Sequence, residues 1–235
     1  MSAAKRIPLP PRLQAIVDLI PPGCRVVDVG TDHGYLPIHL RLTGVAVSVI
    51  ATDLNPDPLD VARRNAARLA PDVDISFRLG DGLKAVAPGE VDTIVIAGMG
   101  GETIAGILMR AAWAGAHRLL LQPQSKIPEL QQTLADLGIH VTNQHLVKDS
   151  GAIYTIYEAQ SGVGTMQTPG GGAYYLHPAL LRRGDVLLDE YLAGLCAKFR
   201  RALNGLAQNA NEKNIKKSAH DTQILHELET WRKQL

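Results

Sequence analysis

The sequence predicts a doubly wound α/β domain, its sheet mostly parallel with an antiparallel last strand, followed by a helical hairpin. Three observations carry this. Apolar strand-like runs alternate with amphipathic helical runs from residue 12 to about 160. The first strand runs into Val26–Val27–Asp28–Val29–Gly30–Thr31–Asp32–His33–Gly34–Tyr35–Leu36–Pro37, where an apolar run closes on an acid and a glycine. Beyond residue 173 the alternation stops, and apolar residues recur mostly at three and four positions over two long stretches.

Taken in order, Arg12–Ile20 is a short amphipathic helix stopped by Pro21–Pro22–Gly23. Arg25–Val29 is the first strand. Ala46–Thr52 is the second, ending at Asp53, and Asp57–Leu69 is a helix whose start Asn55 and Pro56 mark. Asp74–Leu79 is the third strand, leading into Gly80–Asp81–Gly82. Asp92–Ala97 is apolar after its first two residues, as in a central strand covered on both faces. Gly98–Met99–Gly100–Gly101 is expected to turn into a helix over Glu102–Ala112. Arg118–Leu121 is the fifth strand, and Pro128–Leu137 the helix after it, closed by Gly138. Val141–Val147 and Ile153–Ala159 flank Lys148–Asp149–Ser150–Gly151, a hairpin signal. An antiparallel pair closing an otherwise parallel seven-stranded sheet is the variation of this fold that methyltransferases use.

Three segments follow: a catalytic domain over 1–160, a glycine-rich linker over 161–173 and a helical hairpin over 174–235. The linker assignment rests on five glycines within 161–172. Val186, Leu187, Tyr191, Leu195, Phe199, Ala202, Leu203 and Leu206 outline one long helix. Asn209–Asn211 breaks it, and Ile215, Ile224, Leu225, Leu228 and Trp231 outline a second. Two antiparallel, coiled-coil-like helices are the simplest outcome.

The 235 residues are 46% hydrophobic and 20% charged, enough for a full core and against disorder. A formal net charge of +1 argues neither for nor against nucleic acid, although residues 174–235 carry 10 Lys/Arg against 7 Asp/Glu. Cys24 and Cys196 are far apart and lack metal-ligand spacing, which predicts a reduced cytoplasmic protein without a disulfide or metal. Neither a signal peptide nor a membrane span is expected.

Asp28 closes the first strand, Asp53 the second, and Asp81 follows the third, so their carboxylates should converge on the sheet's carboxyl edge, where ligands of such folds bind. The spacing Gly30…Gly34 with Asp32 between is not the dinucleotide fingerprint, and Asp32 would repel a pyrophosphate. A cationic nucleoside fits better, and S-adenosylmethionine, with its sulfonium and ammonium, is the obvious candidate. Asp53 is placed to accept both ribose hydroxyls, and Asp81 with Gly82 to meet the adenine amine. Asp28 and Asp32 serve the methionine end or orient the loop. Gly98–Met99–Gly100–Gly101 allows close backbone approach and offers amides at a helix start, or simply makes a tight junction. His33 is a base, a substrate ligand or a loop residue bonded to backbone. Gln122–Pro123–Gln124 either reads a base edge or is a turn, and Tyr154 and Tyr157 are packing residues.

These residues resemble the bacterial TrmK family of tRNA (adenine-22-N1)-methyltransferases. The likeness runs from Arg12–Leu13 to about Tyr157, through DVGTDHGYLP at 28–37, GDGL at 80–83, AGMGG at 97–101 and LQPQ at 121–124. The resemblance implies a Rossmann-like class I methyltransferase sheet with a C-terminal helical hairpin that helps to hold tRNA. It implies S-adenosylmethionine binding by Asp28, Gly30, Asp32, His33, Asp53, Leu54, Asp81, Gly82, Ala97, Gly98 and Met99, with Asp32 and His33 catalytic beside the target base. Thr31 and Gly34 depart from the family's Ser-Asp-His-Ala, and Gln124 stands where the family usually has Asn. Arg6, Arg12, Arg182, Arg183, Arg200, Arg201, Lys213, Lys216 and Lys217 are candidates for phosphate contacts or a solvated surface. Methylation of another RNA position or of a small molecule, and a non-catalytic RNA-binding module, are the rival readings. A dinucleotide oxidoreductase comes last.

Overall fold

The computed structural model describes residues 7–162, 170–208 and 212–235, apart from the side chain of Lys213. Arg6, most of the expected linker and the Asn209–Asn211 break lie outside the described residues. The chain forms two compact units, Met1–Met166 and Gln167–Leu235.

The first unit alternates helix and strand in the order α1 (Pro11–Leu19), β1 (Cys24–Val29), α2 (Tyr35–Thr43), β2 (Ala46–Asp53), α3 (Pro56–Leu69), β3 (Ser76–Leu79), β4 (Thr93–Gly100), α4 (Gly101–Met109), β5 (Arg118–Ser125), α5 (Ile127–Asp136), β6 (Ile139–Asp149) and β7 (Ala152–Ser161). The strands form one seven-stranded sheet in the order β3-β2-β1-β4-β5-β7-β6. β1 to β5 pair in parallel, and β7 runs antiparallel to both β5 and β6. After β3 the chain returns to the far side of β1, so the order reverses between β1 and β4. A crevice opens at that point at the strands' carboxyl ends.

Strand periodicity divides the core cleanly. Val27, Val29, Ile94, Ile96, Leu119 and Leu121 face one side, with Ile104 and Leu108 of α4 and Leu130 and Leu134 of α5. Their neighbours Val26, Val95 and Leu120 face the other, against Ile16 and Val17 of α1 and Leu36 and Leu40 of α2. Strands buried on both faces read as continuous apolar runs, which is how β4 looks in sequence.

One helix is added to the sequence reading and two expectations are corrected. The segment after the first loop is a helix, α2, absent from the sequence reading. Leu36, Pro37, Ile38, His39 and Leu40 are all buried, so it carries no amphipathic stripe to betray it. Gly98–Met99–Gly100 is not a turn but the bulged end of β4. Met99 pairs with Pro123 and Gly100 with Ser125, while Gly98, at φ +77°, takes up the extra residue. Gln122–Pro123–Gln124 is likewise the end of β5 rather than a turn.

The second unit holds α6 (Pro178–Arg183), α7 (Leu188–Ala207) and α8 (Glu212–Arg232). α7 starts at Leu188 and not at Val186, because Asp185 accepts the Leu187 amide at 2.9 Å and leaves Val186 in solvent. α7 buries Leu188, Tyr191, Leu192, Leu195, Cys196 and Phe199, whereas Ala202 is exposed, so its apolar seam is shorter than its length. α8 packs against it and buries Ile224 and Leu228. Asp189 at the start of α7 pairs with Arg232 at the end of α8 at 2.6 Å, as antiparallel helices require. Ile215, expected on the packed stripe, is exposed.

Candidate active site

One cavity of about 680 Å3 opens at the β1/β4 reversal. That is the size of a pocket for a nucleoside-sized ligand. Every residue that the sequence nominates lines it: Asp28, Gly30, Asp32, His33, Asp53, Leu54, Asp81, Gly82, Ala97, Gly98 and Met99. Pro10, Arg12, Leu13, Tyr35, Thr103, Ile107, Arg110 and Gln124 complete much of the remaining wall.

The first loop is held from below. The amides of Gly30 and Thr31 both donate to the Thr52 carbonyl, at 2.8 and 3.0 Å, stitching the loop to β2. The Asn65 side chain donates to the His33 carbonyl at 3.0 Å. Between these anchors Asp32 takes φ +51°, a left-handed conformation that costs a non-glycine residue about 1 kcal/mol or more. Asp32 therefore stands out into the cavity, 69% exposed in its side chain, with its carboxylate 3.6 Å from His33 Nε2. His33 is itself half exposed, and its ring centroid lies 5.9 Å from that of Tyr35.

Asp28 is the opposite case. It is buried at the floor, and loss of water pushes its carboxyl up from 3.8 to about 6. The neighbouring Thr31 works against that rise, and the negative charge of Asp53 adds to it. Asp53 accepts the Asp32 amide at 3.3 Å on one oxygen and the Asn55 amide at 2.9 Å on the other. Each oxygen keeps a lone pair for a further donor.

The loop after β3 is fixed on every side. Gly80 donates to the Asp53 carbonyl at 2.9 Å, and Thr52 Oγ1 donates to the Gly82 carbonyl at 3.2 Å. Gly82, at φ +63°, lies so close to α4 that a Cβ would come within 2.9 Å of Ile107. Asp81 forms ion pairs with Lys84 at 2.8 Å and Arg110 at 3.0 Å. The Lys84 ammonium first, and Arg110 beside it, hold the carboxyl below the usual carboxylate range against the opposing cost of desolvation.

On the far wall the Gly98 amide is not free for a ligand. It donates to Oε1 of Gln122 at 3.1 Å, and Gln122 is fully buried. Gln122 thus sets the shape of the β4 bulge rather than reading a base, while Gln124 is exposed and lines the cavity.

Of the basic residues suggested for phosphate contact, Arg12 reaches the cavity wall while pairing with the buried Asp149 at 3.1 Å and lying over the Tyr154 ring. Arg183, Arg200 and Lys216 have acidic partners. Arg182, Arg201 and Lys217 are exposed. Among the described residues no cluster of His, Cys, Asp or Glu could hold a metal ion, and no helix is long and apolar enough to cross a membrane.

Sequence reasoning missed Arg110, Thr52 and Tyr35. Thr52 is one step before the nominated Asp53. Arg110 sits three positions after Ile107, on the helix face that meets the loop, but only the fold brings it to Asp81.

The methyltransferase domain family matches residues 9–157. A Bacillus subtilis tRNA (adenine(22)-N(1))-methyltransferase is 34% identical over 153 residues, a stretch that spans 64% of this chain and only 64% of that protein. The crystal structure of the Bacillus subtilis m1A22 tRNA methyltransferase TrmK superposes with a TM-score of 0.84 at 26% identity, covering 97% of this chain and all of that one. A Streptococcus pneumoniae protein, a candidate tRNA (m1A22) methyltransferase solved in complex with S-adenosyl-L-methionine, gives a TM-score of 0.76 at 26% identity. It covers 92% of this chain and 98% of that one. The chain belongs to the methyltransferase domain family.

Proposed function

We propose that this protein is an S-adenosylmethionine-dependent tRNA methyltransferase that modifies N1 of an adenine, at position 22. The observation that carries the reading is the placement of Asp28, Asp32, Asp53 and Asp81 around one cavity at the β1/β4 reversal. Four acids suit a ligand with a sulfonium, an ammonium, a ribose diol and an exocyclic amine, and they disfavour a pyrophosphate. The relatives named above support the reading, and such an enzyme would work in the cytoplasm on tRNA.

In this reading Asp53 receives the ribose hydroxyls on the lone pairs that the Asp32 and Asn55 amides leave open. Asp81 faces the adenine amine, Leu54 and Gly82 flank the purine, and Asp28 with Gly30, Ala97, Gly98 and Met99 surrounds the methionine end. S-adenosylmethionine supplies an electrophilic methyl carbon when bound. Adenine N1 carries a free lone pair at neutral pH, so the protein need not remove a proton before attack. What the chain contributes is alignment, which can supply about 7–11 kcal/mol of barrier reduction in well-oriented cases. Methylation leaves the base cationic. Asp32, projecting into the cavity, stabilises that charge or accepts a proton from the exocyclic nitrogen, with His33 at 3.6 Å as its partner. A paired target base must first be extruded, at a cost of a few kcal/mol.

The test is transfer of radiolabelled methyl to bulk tRNA, followed by nucleoside mass spectrometry and mapping of the modified position. N1-methyladenosine at position 22 is expected. Label on another nucleoside, or none, would overturn the assignment.

A further inference from the structure

Arg110 is a charged residue of the cavity wall that neither the sequence motifs nor the proposed chemistry explains. It caps the C-terminal end of α4 and points back to the loop after β3, where Nη2 donates to Asp81 Oδ1 at 3.0 Å across 29 residues of sequence. Lys84 takes the other oxygen at 2.8 Å. The backbone on both sides of Asp81 is already pinned, by the Gly80–Asp53 and Thr52–Gly82 hydrogen bonds and by Gly82 seated on Ile107. The remaining freedom of this loop is the rotation of the Asp81 side chain, and Arg110 and Lys84 remove it.

We infer that Arg110 is a positioning residue that fixes the Asp81 carboxylate for an amine donor on the ligand's purine, and so sets affinity for the cofactor. This rests on the cofactor reading given above. The geometry leaves the acceptor available, because each carboxylate oxygen has two lone pairs and each gives one to a cation. The amine therefore meets an acceptor already ionised and already oriented, and no ion pair has to break as it docks. Lys84 cannot do this alone. It is an exposed neighbour three positions away on the same turn, with a flexible stem, whereas Arg110 is anchored on a different element. Asp81 and Arg110 are both partly open to solvent, which keeps the expected effect modest.

The experiment is a double-mutant cycle on the full chain, with S-adenosylhomocysteine as the titrated probe and calorimetric Kd as the readout. Arg110→Ala should weaken binding about two- to five-fold, the range an exposed ion pair supports. In an Asp81→Asn background the same substitution should change Kd hardly at all, because the group through which it acts has lost its charge. Arg110→Lys should recover most of the loss, since a single contact to one oxygen is within a lysine's means. A melting temperature within a degree or two of wild type, by the small stake of a surface pair, separates positioning from unfolding. Equal weakening in both backgrounds, or no weakening in either, overturns the proposal. Failure of the wild-type chain to bind S-adenosylhomocysteine would overturn the cofactor reading itself, and this inference with it.

Discussion

Replacing Asp28 by Asn should make the protein more stable at pH 8 and a poorer binder of cofactor. Asp28 is buried, 6% exposed, and its carboxyl is pushed up to about 6 from 3.8. Because the folded value is the higher one, the native chain holds a proton between about pH 4 and pH 6 that the unfolded chain has released. The carboxyl therefore costs nothing at low pH. Its penalty grows as pH rises through that window and is complete above it. Two pH units at about 1.36 kcal/mol each give a penalty of about 3 kcal/mol, an upper figure because water in the cavity relieves part of it. An Asn of the same shape has no charge to desolvate. Urea unfolding of both proteins at intervals from pH 4 to pH 8, without ligand, measures the difference directly. The variant should gain up to about 3 kcal/mol at pH 8 and almost nothing at pH 4. A gain that does not change with pH, or a loss at pH 8, would refute the reasoning. The same substitution should weaken S-adenosylhomocysteine, whose ammonium is best met by a carboxylate. Stability given up at this position is then the cost of holding a charge ready for the ligand.

Two further outcomes follow from the geometry. Gly34→Ala should lose about 1–2 kcal/mol in a denaturant titration, since φ is +73° there and a Cβ would sit 2.8 Å from that of Ala62; adding Ala62→Gly should return the contact part of the loss but not the strain. Glu158→Gln should destabilise by about 1–3 kcal/mol at pH 7, because Glu158 is largely buried between His145 at 2.6 Å and Arg118. The His145 hydrogen bond first, and the charges of Arg118 and His145, hold the Glu158 carboxyl below its usual 4.5 against the cost of burial. Its contribution is thus present above the unfolded value and is lost as pH falls. Parallel unfolding curves should show the gap between the proteins closing toward pH 4, and a gap that widened there would contradict the assignment.

The alternation of strand and helix was legible in the sequence because each strand that faces two cores is apolar at both registers. Val26 with Val27 and Val95 with Ile96 are such pairs. The acids at the cavity were legible for a related reason: in a parallel sheet the residue ending each strand shares one edge with the others, so position in the chain gives position in space. What did not show was whatever depended on a partner far away in sequence. Helix α2 is wrapped on nearly all sides and so has no polar face to mark its period. The bulge at Gly98 depends on Gln122, a strand away, and a run rich in glycine reads as a turn when that partner is unknown. Arg110 is an ordinary charged helix end until the loop after β3 is laid on α4. In the second unit the three- and four-residue spacing gave the helices but overstated their contact. Periodicity reports a stripe, and Ala202 and Ile215 show that the stripe can outrun what it packs against.

The electrostatics of the cavity also bear on turnover. On the proposed function, methyl transfer would move one positive charge off the cofactor's sulfur and onto the base. A wall with Asp28, Asp32, Asp53 and Asp81 against Arg12 and Arg110 favours the charged cofactor over its neutral-sulfur product, which assists exchange. Arg12 and Arg110 do little to reverse that sign, because each is already paired with an acid. Asp32 differs from the other three acids in its exposure: Asp28 is buried, Asp53 is half-buried and accepts two backbone amides, and Asp81 is ion-paired, whereas Asp32, from its left-handed backbone, stands out into the cavity. That is where a charge arriving on the base would be met. On the proposed reaction, the conformational cost at Asp32 would serve to hold one exposed carboxylate beside the methylated base.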